Sequence, residues 1–318
     1  MKWLIAAWCV ALGTAWDVAA QNFPEKPIRF IVPFAPGGGT DVFARIVGAK
    51  LTEIWGQQIL VDHRPGAQGN IGTALGAKAA PDGYTITIVV TGTLAINPHL
   101  FGKPGAGVLW DLAAVTRGTE EVWILIAHPS VPVKSAKELA ALAKNYPGKL
   151  NNAAQSPAGQ LLAELFKHTT GTNLVNIPYK GAGPAVIDLL AGNVELAFFN
   201  PPSVLPYIKV GKLRALMVMG PKRIEGLPDV LHAVEAGYPE LDLTGWYGVV
   251  APASTPREVI VKLNAGFVRA LKSPDVLERM HAAGQRASPS TPEEFAAQIR
   301  TDFERWGKVV KATGAKLE

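Results

Sequence analysis

The segment "PFAPGGGTD" joins an apolar stretch to a helical pattern through three consecutive glycines, Gly37, Gly38 and Gly39. At the start of a helix, free backbone N–H groups and the positive end of the helix dipole favour an anion, and glycine allows it to approach closely. The turn contains no Lys or Arg, so it offers dipoles rather than a full counter-charge. This pattern predicts reversible binding of a carboxylate. The alternative is a tight turn that needs glycine for its dihedral angles.

Three other loops follow apolar strands in the same way. "TGTLAINP" begins at Thr91 and carries hydroxyl groups, "AAQSPAG" places Ser156 at a helix start, and "PYKGAGPA" adds the cation Lys180. Ligands bind beyond the carboxyl ends of strands in open parallel sheets. These loops therefore predict a ligand cleft with polar groups from several strands.

The residues that would support catalysis or metal binding lack the necessary spacing. The six histidines form no H-E-x-x-H pair, and Ser156 has no G-x-S-x-G context. The single cysteine, Cys9, lies in the apolar leader, which excludes a thiolate site in the mature chain. Neither the phosphate-loop pattern nor G-x-G-x-x-G occurs at the glycine turn. We expect no metal, no cofactor and no enzyme activity, although an enzyme using the same cleft remains an alternative.

Composition and the first twenty residues indicate an exported globular protein. The 318 residues are 48% hydrophobic and 18% charged, with a net charge of +5 and no run of five basic residues, which argues against nucleic-acid binding. Lys2, the apolar stretch after it and the small residues Val18, Ala19 and Ala20 are typical of a signal peptide at 1–20. The prediction is a periplasmic protein; a first buried helix is the alternative.

Alternation of strand and helix patterns predicts an α/β protein with two lobes. One group of strands precedes a linking strand at Glu121–Ala127, a second group follows it, and the chain returns at Trp246–Pro252. The first lobe is predicted to comprise 21–124 and 246–318, and the second lobe 125–245. Two crossings between lobes predict a hinge, with the ligand cleft between the lobes.

Five ordered motifs resemble the Bug family of periplasmic receptors: "PIRFIVPFAPGGGTDVFAR", "RPGAQGNIGTALGAKAAPDGYT", "HPSVPVKSAKELAALAKNYPGKLN", "IPYKGAGPAVIDLLAGNVELAFF" and "WYGVVAPASTP". The resemblance implies a type II periplasmic-binding-protein fold whose two lobes close on a small carboxylate, aliphatic or aromatic. It also implies a monomer that delivers this ligand to the membrane subunits of a tripartite tricarboxylate transporter. A ligand sensor that docks on a signalling protein is the alternative.

The resemblance also implies two loops that pinch a ligand carboxylate, Phe34–Asp41 and Ala154–Pro157. The second loop departs from the family, since "AAQSPAGQLL" replaces a Ser-Ser-Gly-rich stretch followed by His. Asn200 stands where the family commonly has Asp, which removes a partner for cationic ligands. Trp246 and Tyr247 fit a buried hinge and a cleft wall equally well. The candidate ligand-binding residues are Phe34, Pro36, Gly37, Gly38, Gly39, Thr40, Asp41, Thr91, Gln155, Ser156, Tyr179, Lys180, Gly181, Asn200 and Trp246.

Overall fold

Eleven strands form two sheets in the part of the chain that the structure describes. This computed structural model describes residues 23–101 and 111–315, so the predicted signal peptide at 1–20 lies outside the described residues. The strands are β1 (Ile28–Val32), β2 (Ile59–His63), β3 (Thr85–Val90), β4 (Leu112–Glu121), β5 (Trp123–Ala127), β6 (Asn151–Ala154), β7 (Val175–Pro178), β8 (Leu196–Phe199), β9 (Arg214–Met219), β10 (Gly245–Pro252) and β11 (Arg286–Ala287).

Nine helices of eight or more residues cover these sheets within the described ranges. Shorter helical turns occupy Ala67–Gly69, Gly92–Ile96, Asn97–Leu100 and Pro239–Leu241. None of the described helices is long and apolar enough to cross a membrane. The longer helices are α1 (Gly39–Trp55), α2 (Asn70–Ala77), α3 (Ala136–Asn145), α4 (Pro157–Thr170), α5 (Ala182–Ala191), α6 (Pro201–Lys209), α7 (Arg257–Lys272), α8 (Pro274–Ala282) and α9 (Pro292–Thr313).

Capping residues set the ends of these helices as the sequence predicts. The Ser156 hydroxyl accepts a hydrogen bond from the N–H of Gly159 at the start of α4, and Pro157 is the first helical residue. Gly171 ends α4 and Gly56 ends α1, each with φ of 65°. That left-handed conformation favours glycine, so α4 ends at Gly171 and α1 ends at Gly56.

Both sheets are mixed rather than mostly parallel. The first sheet has the order β11-β4-β10-β3-β1-β2, and the second has the order β7-β6-β8-β5-β9. β1 pairs in parallel with β2 and β3, whereas β10 runs antiparallel to both β3 and β4. β5 likewise runs antiparallel to β8 and β9. The antiparallel strands are those next to the crossings between sheets, which the strand–helix alternation did not reveal.

The predicted linking strand at Glu121–Ala127 is two strands that belong to different sheets. β4 ends at Glu121 in the first sheet, and β5 begins at Trp123 in the second sheet. The chain returns from the second sheet between β9 and β10. Gly245, the first residue of β10, pairs with Glu121, the last residue of β4. The two crossings therefore lie side by side.

Helix α9 packs against the cores of both sheets. Its Phe295 ring lies edge-on to Trp246 of β10, with ring centroids 4.9 Å apart. Further along the helix, Trp306 packs against Trp123 of β5, with centroids 6.3 Å apart, inside the core of the second sheet. The sequence suggested that the C-terminal helices pack on the first lobe, but a helix of 22 residues is long enough to reach both.

We expect the Gly248→Ala substitution to lower the free energy of unfolding by about 2–3 kcal/mol. A Cβ on Gly248 in β10 would overlap the fully buried ring of Phe295. Urea unfolding measures the loss. In a Phe295→Leu background the same substitution should cost less than about 1 kcal/mol, because the smaller side chain leaves room. Equal costs in both backgrounds would contradict this packing.

Candidate functional site

Four helices of the described chain begin at one cavity between the two sheets. The N-cap residues Gly38, Ser156 and Asn200, of α1, α4 and α6, line this cavity, together with Ala182, the first residue of α5. We call it the inner cavity; it encloses ≈ 530 Å³ of empty space, including its opening to solvent. The positive ends of four helix dipoles therefore face the same enclosed space.

The Asp41 carboxylate stabilises the conformation of the glycine turn from outside the inner cavity. Its Oδ2 accepts a hydrogen bond from the N–H of Gly37 at 3.0 Å, and Gly37 has the left-handed φ of 88°. Its Oδ1 accepts hydrogen bonds from Arg45 Nε at 2.8 Å and from His63 Nε2 at 2.9 Å. Three donors thus fix the carboxylate outside the inner cavity, and Asp41 positions the turn.

The N–H groups in the first turn of α1 are free to bind a ligand. Among the residues that the structure describes, none accepts a hydrogen bond from the N–H of Gly39 or Thr40. Both residues line the inner cavity and both are buried. Buried N–H groups without a partner are costly, so this turn is suited to an anion that enters the cavity.

The loops after β1 and β7 touch each other at the edge of the cavity. The N–H of Ala35 donates a hydrogen bond to the carbonyl oxygen of Lys180 at 3.2 Å. Nearby, the amide of Gln68 donates to Gln160 Oε1 at 3.3 Å, between helical segments on the two sheets. Polar contacts therefore join the two halves across the cleft.

The loop after β6 contributes an amide and a hydroxyl. Gln155 is 6% exposed and donates from Nε2 to the carbonyl oxygen of Phe198 at 2.8 Å. Within the described chain, its Oε1 has no hydrogen-bond partner. The Ser156 oxygen accepts from the N–H of Gly159 at 3.1 Å, which leaves its own proton available to donate into the cavity.

A second cavity lies beside the first, and Phe34 and Gln155 line both. This outer cavity has ≈ 1450 Å³ of empty space, and Tyr179 and Lys180 are on its wall. The Tyr179 hydroxyl donates to Asp188 Oδ2 at 2.7 Å. Burial and this carboxylate raise the pKa of Tyr179 to about 12. The Tyr179 hydroxyl therefore has its hydrogen-bond partner, Asp188, in the same half of the molecule.

The structure brings most, but not all, of the sequence-predicted site residues to the inner cavity. Tyr179 and Lys180 line the outer cavity. Pro36, Gly37, Asp41 and Gly181 line neither cavity and belong to the turns that shape the inner one. The predicted residues on the inner cavity wall are Phe34, Gly38, Gly39, Thr40, Thr91, Gln155, Ser156, Asn200 and Trp246.

Seven lining residues were not among the predicted ones, and Glu121 is the most informative of them. Neighbouring residues of a strand point to opposite faces, so Glu120 and Glu121 cannot both face solvent. That alternation was the signal in the sequence. Glu120 is the exposed one and pairs with Arg286 at 3.0 Å. The seven residues are Val90, Gly92, Glu121, Trp123, Ala158, Ala182 and Tyr247.

Glu121 is buried in the floor of the inner cavity among neutral hydrogen-bond donors. Its Oε1 accepts from the Thr119 hydroxyl at 2.8 Å, and its Oε2 accepts from Asn200 Nδ2 at 3.3 Å. The Tyr247 hydroxyl also hydrogen-bonds to this carboxyl group. Burial raises the pKa of Glu121 to about 8, and the contacts with Thr119 and Tyr247 offset this only in part.

The inner cavity contains no recognisable catalytic or metal-binding set. Of the residues that line it in the described chain, Glu121 is the only Asp, Glu, Lys, Arg or His. Residues 23–101 and 111–315 contain no group of three metal-ligating side chains. The arrangement can therefore bind a small anion through dipoles and hydrogen bonds.

Comparisons with known proteins give one consistent result. The family model described as the tripartite tricarboxylate transporter family receptor matches residues 43–315. The chain is 39% identical to Protein BugT of Bordetella pertussis, over 99% of this chain and 98% of the relative.

Solved structures are similar over nearly the whole chain. A structure described as a periplasmic transporter has 40% identity and a TM-score of 0.88, over 93% of this chain and 100% of that one. An R. palustris protein solved with adipate has 32% identity and a TM-score of 0.89, with the same coverage. MatC of Rhodopseudomonas palustris, with bound malate, has 30% identity and a TM-score of 0.87, over 91% and 100%.

We expect the Glu121→Gln substitution to remove a pH dependence of stability. A folded pKa near 8, above the usual 4.5, means that the folded state holds a proton which the unfolded state releases. The stabilisation is complete below pH 4.5 and is lost as the pH rises through 8. Between pH 4.5 and pH 8 the free energy of unfolding of the parent should fall by about 4 kcal/mol relative to that of Glu121→Gln.

Urea unfolding at pH 5 and pH 8.5 measures this difference, and Glu120→Gln is the matched control because Glu120 is exposed and lies outside the cavity. The control should follow the parent at both values. A gap between parent and Glu121→Gln that does not change with pH would contradict the burial of an ionisable group.

Proposed function

The chain belongs to the tripartite tricarboxylate transporter receptor family, and from this premise we propose that it is a periplasmic solute-binding protein for a small carboxylate. It delivers this ligand to the membrane subunits of a transporter and releases it unchanged. The observation that carries the proposal is the inner cavity, where four helix starts converge without any Lys or Arg. The relatives described as a periplasmic transporter and a periplasmic binding protein support the location.

Helix starts suit a receptor that must release its ligand. A charge-assisted hydrogen bond from a backbone N–H contributes about 1.5–3 kcal/mol, and a helix dipole adds about 0.3–1 kcal/mol. A few such contacts yield micromolar affinity, about −8 kcal/mol, after the entropy of binding is subtracted. In this proposal the N–H groups of Gly39 and Thr40 and the Ser156 hydroxyl bind the carboxylate, and Asp41 keeps the turn in place.

The walls of the inner cavity limit the ligand to a short chain or a small ring. Phe34, Val90, Trp123 and Trp246 line it and contribute apolar surface between the polar ends. Adipate and malate, found in two related structures, are small carboxylates. We infer that this chain binds a ligand of the same class.

Binding requires the two halves to separate, because the Ala35–Lys180 contact closes the cleft. We propose that the lobes are residues 21–124 with 246–318, and residues 125–245. They rotate about the paired crossings at the end of β4 and the start of β10. The loops Phe34–Asp41 and Ala154–Pro157 then close on the ligand, and the receptor acts as a monomer.

We expect a panel of small carboxylates to contain ligands that raise the melting temperature of the purified protein, with micromolar Kd by titration calorimetry. Replacing the bound carboxylate by its neutral amide should weaken binding at least about tenfold, because the dipoles favour the charge. The proposal fails if no carboxylate binds, if acid and amide bind equally, or if mass spectrometry shows a bound carboxylate converted to product.

The Gly39→Ala substitution should weaken carboxylate binding at least about tenfold while the protein stays folded. A Cβ at Gly39 would overlap Asn200 Nδ2 and lie 2.6 Å from the Tyr247 hydroxyl, where it would fill the cavity floor. Gly48→Ala is the matched control, since Gly48 lies on the same helix and its Cβ would only contact Ile59 at 3.3 Å. Unchanged affinity in Gly39→Ala would place the anion elsewhere.

A further inference from the structure

The cavity floor holds a polar cluster that carboxylate capture at the glycine turn does not use. It consists of Thr119 and Glu121 of β4, Tyr247 of β10 and Asn200 at the start of α6. Glu121 is 4% exposed and Tyr247 is 6% exposed, and both line the inner cavity. Asn200 and Tyr247 stand on either side of Gly39, so the cluster lies next to the turn that binds the first carboxylate.

The Thr119, Asn200 and Glu121 oxygens of this cluster each accept a hydrogen bond from within the protein. The Thr119 oxygen accepts from the N–H of Tyr247 at 3.1 Å, and Asn200 Oδ1 accepts from the Ser203 hydroxyl at 2.9 Å. The Glu121 oxygens accept from Thr119 and Asn200. Glu121 and Tyr247 share one contact. If both carry a proton, one O–H group remains without an acceptor, and both residues face the cavity.

Burial favours the neutral form of Glu121, and the hydrogen bonds from Thr119 and Tyr247, which favour the charged form, offset this only in part. Tyr247 is the titratable group that faces it from β10, and burial raises the pKa of Tyr247 well above its usual value. Asn200 from α6 and Gly39 from α1 are neutral. The charged pair Glu120–Arg286 joins β4 to β11 at the surface, and Asp41 is bound to Arg45 and His63. The pKa of Glu121, raised to about 8 by burial, agrees with this environment.

The helix starts determine which second group of a ligand can lie beside Glu121. Asn200, the N-cap of α6, contacts Glu121 directly, and α1 begins at Gly39 next to it. The positive ends of these helices disfavour an ammonium group and favour an oxygen with negative charge. An ionised Glu121 would repel such an oxygen, whereas a protonated Glu121 can donate to it.

We propose that Glu121 is a specificity-determining residue that binds the second oxygen group of a dicarboxylate or oxo acid as a neutral acid. The cluster donates one O–H, from Glu121 itself or from Tyr247 hydrogen-bonded to it. The protein therefore binds one proton at the same time as it binds the ligand. It rejects a ligand whose distal group is an ammonium. This inference rests on the proposed function, because the first carboxylate must occupy the glycine turn.

Matched pairs of probes test the selectivity: succinate against β-alanine, glutarate against 4-aminobutyrate, and adipate against 5-aminopentanoate. Each pair keeps one carboxylate and replaces the other by an ammonium group. Titration calorimetry at pH 7 should show that a dicarboxylate binds at least about tenfold more tightly than its amine partner. Tighter binding of the amine partner would overturn the inference and leave carboxylate capture intact.

The dicarboxylate that binds most tightly is used to test whether a proton is bound with the ligand. The measured quantity is the pH dependence of its affinity. Between pH 7 and pH 9.5 both of its carboxylates stay ionised, so only the protein titrates. For a pKa near 8 the affinity should fall about thirtyfold over this range. At pH 9.5, calorimetry in two buffers of different ionisation enthalpy should show uptake of roughly one proton per ligand. These measurements use the parent protein and do not depend on a variant that folds.

Two variants test whether Glu121 is the residue that carries this proton. Glu121→Gln keeps a donor of similar shape, so it should bind the dicarboxylate at pH 7 within about threefold of the parent, lose the pH dependence and take up no proton. Glu120→Gln should behave like the parent. The inference is overturned if the parent's affinity changes less than about threefold up to pH 9.5, or if Glu121→Gln keeps the parent's pH profile. Failure of every carboxylate to bind would instead contradict the proposed function, and this inference with it.

Discussion

The antiparallel pairing of β4 with β10 is the interaction on which the architecture depends. It runs from Leu112 opposite Pro252 to Glu121 opposite Gly245, and the chain changes sheet directly after the first strand and directly before the second. Because both crossings lie at the same end of one strand pair, the two halves share a single floor. The residues at that end, Glu121 and Tyr247, lie beside the crossings and are also part of the cavity wall. Glu121 at the end of β4 contacts Asn200 at the start of α6, so this hydrogen bond joins elements of the two halves.

Helix α9 adds a connection that does not follow the chain crossings. Trp246 donates from its indole N–H to Asp302 Oδ2 at 2.7 Å, and Trp306 lies in the core of the second sheet. One helix thus contacts β10 and packs against the hydrophobic cores of both sheets.

The electrostatics of the cavity follow from what lines it. Helix starts provide positive potential without a fixed cation, and burial raises the pKa of the Glu121 carboxyl group to about 8. The Asp41 carboxylate lies outside the cavity, where it accepts hydrogen bonds from Arg45 and His63. This arrangement is the one that the proposed reversible binding of an anion needs. A lysine in the same place would bind more tightly but would also slow release.

Local sequence determined the helix cap at Ser156, the strand–helix alternation and the glycine turn. These depend on residues close together in the chain, such as Ser156 with Gly159, and on dihedral preferences that glycine alone satisfies. Polar loops at strand ends and the resemblance to the Bug family together predicted nine of the residues that line the inner cavity.

Only the tertiary structure decided which partner each of these residues has. Asp41 was a candidate for ligand contact, but its carboxylate also accepts a hydrogen bond from His63, which lies 22 residues further along the chain. The role of Glu121 depends on three donors from residues 119, 200 and 247, which are far apart in the chain and meet where two sheets join. A pKa is set by burial and by such neighbours, and both arise only when the chain has folded.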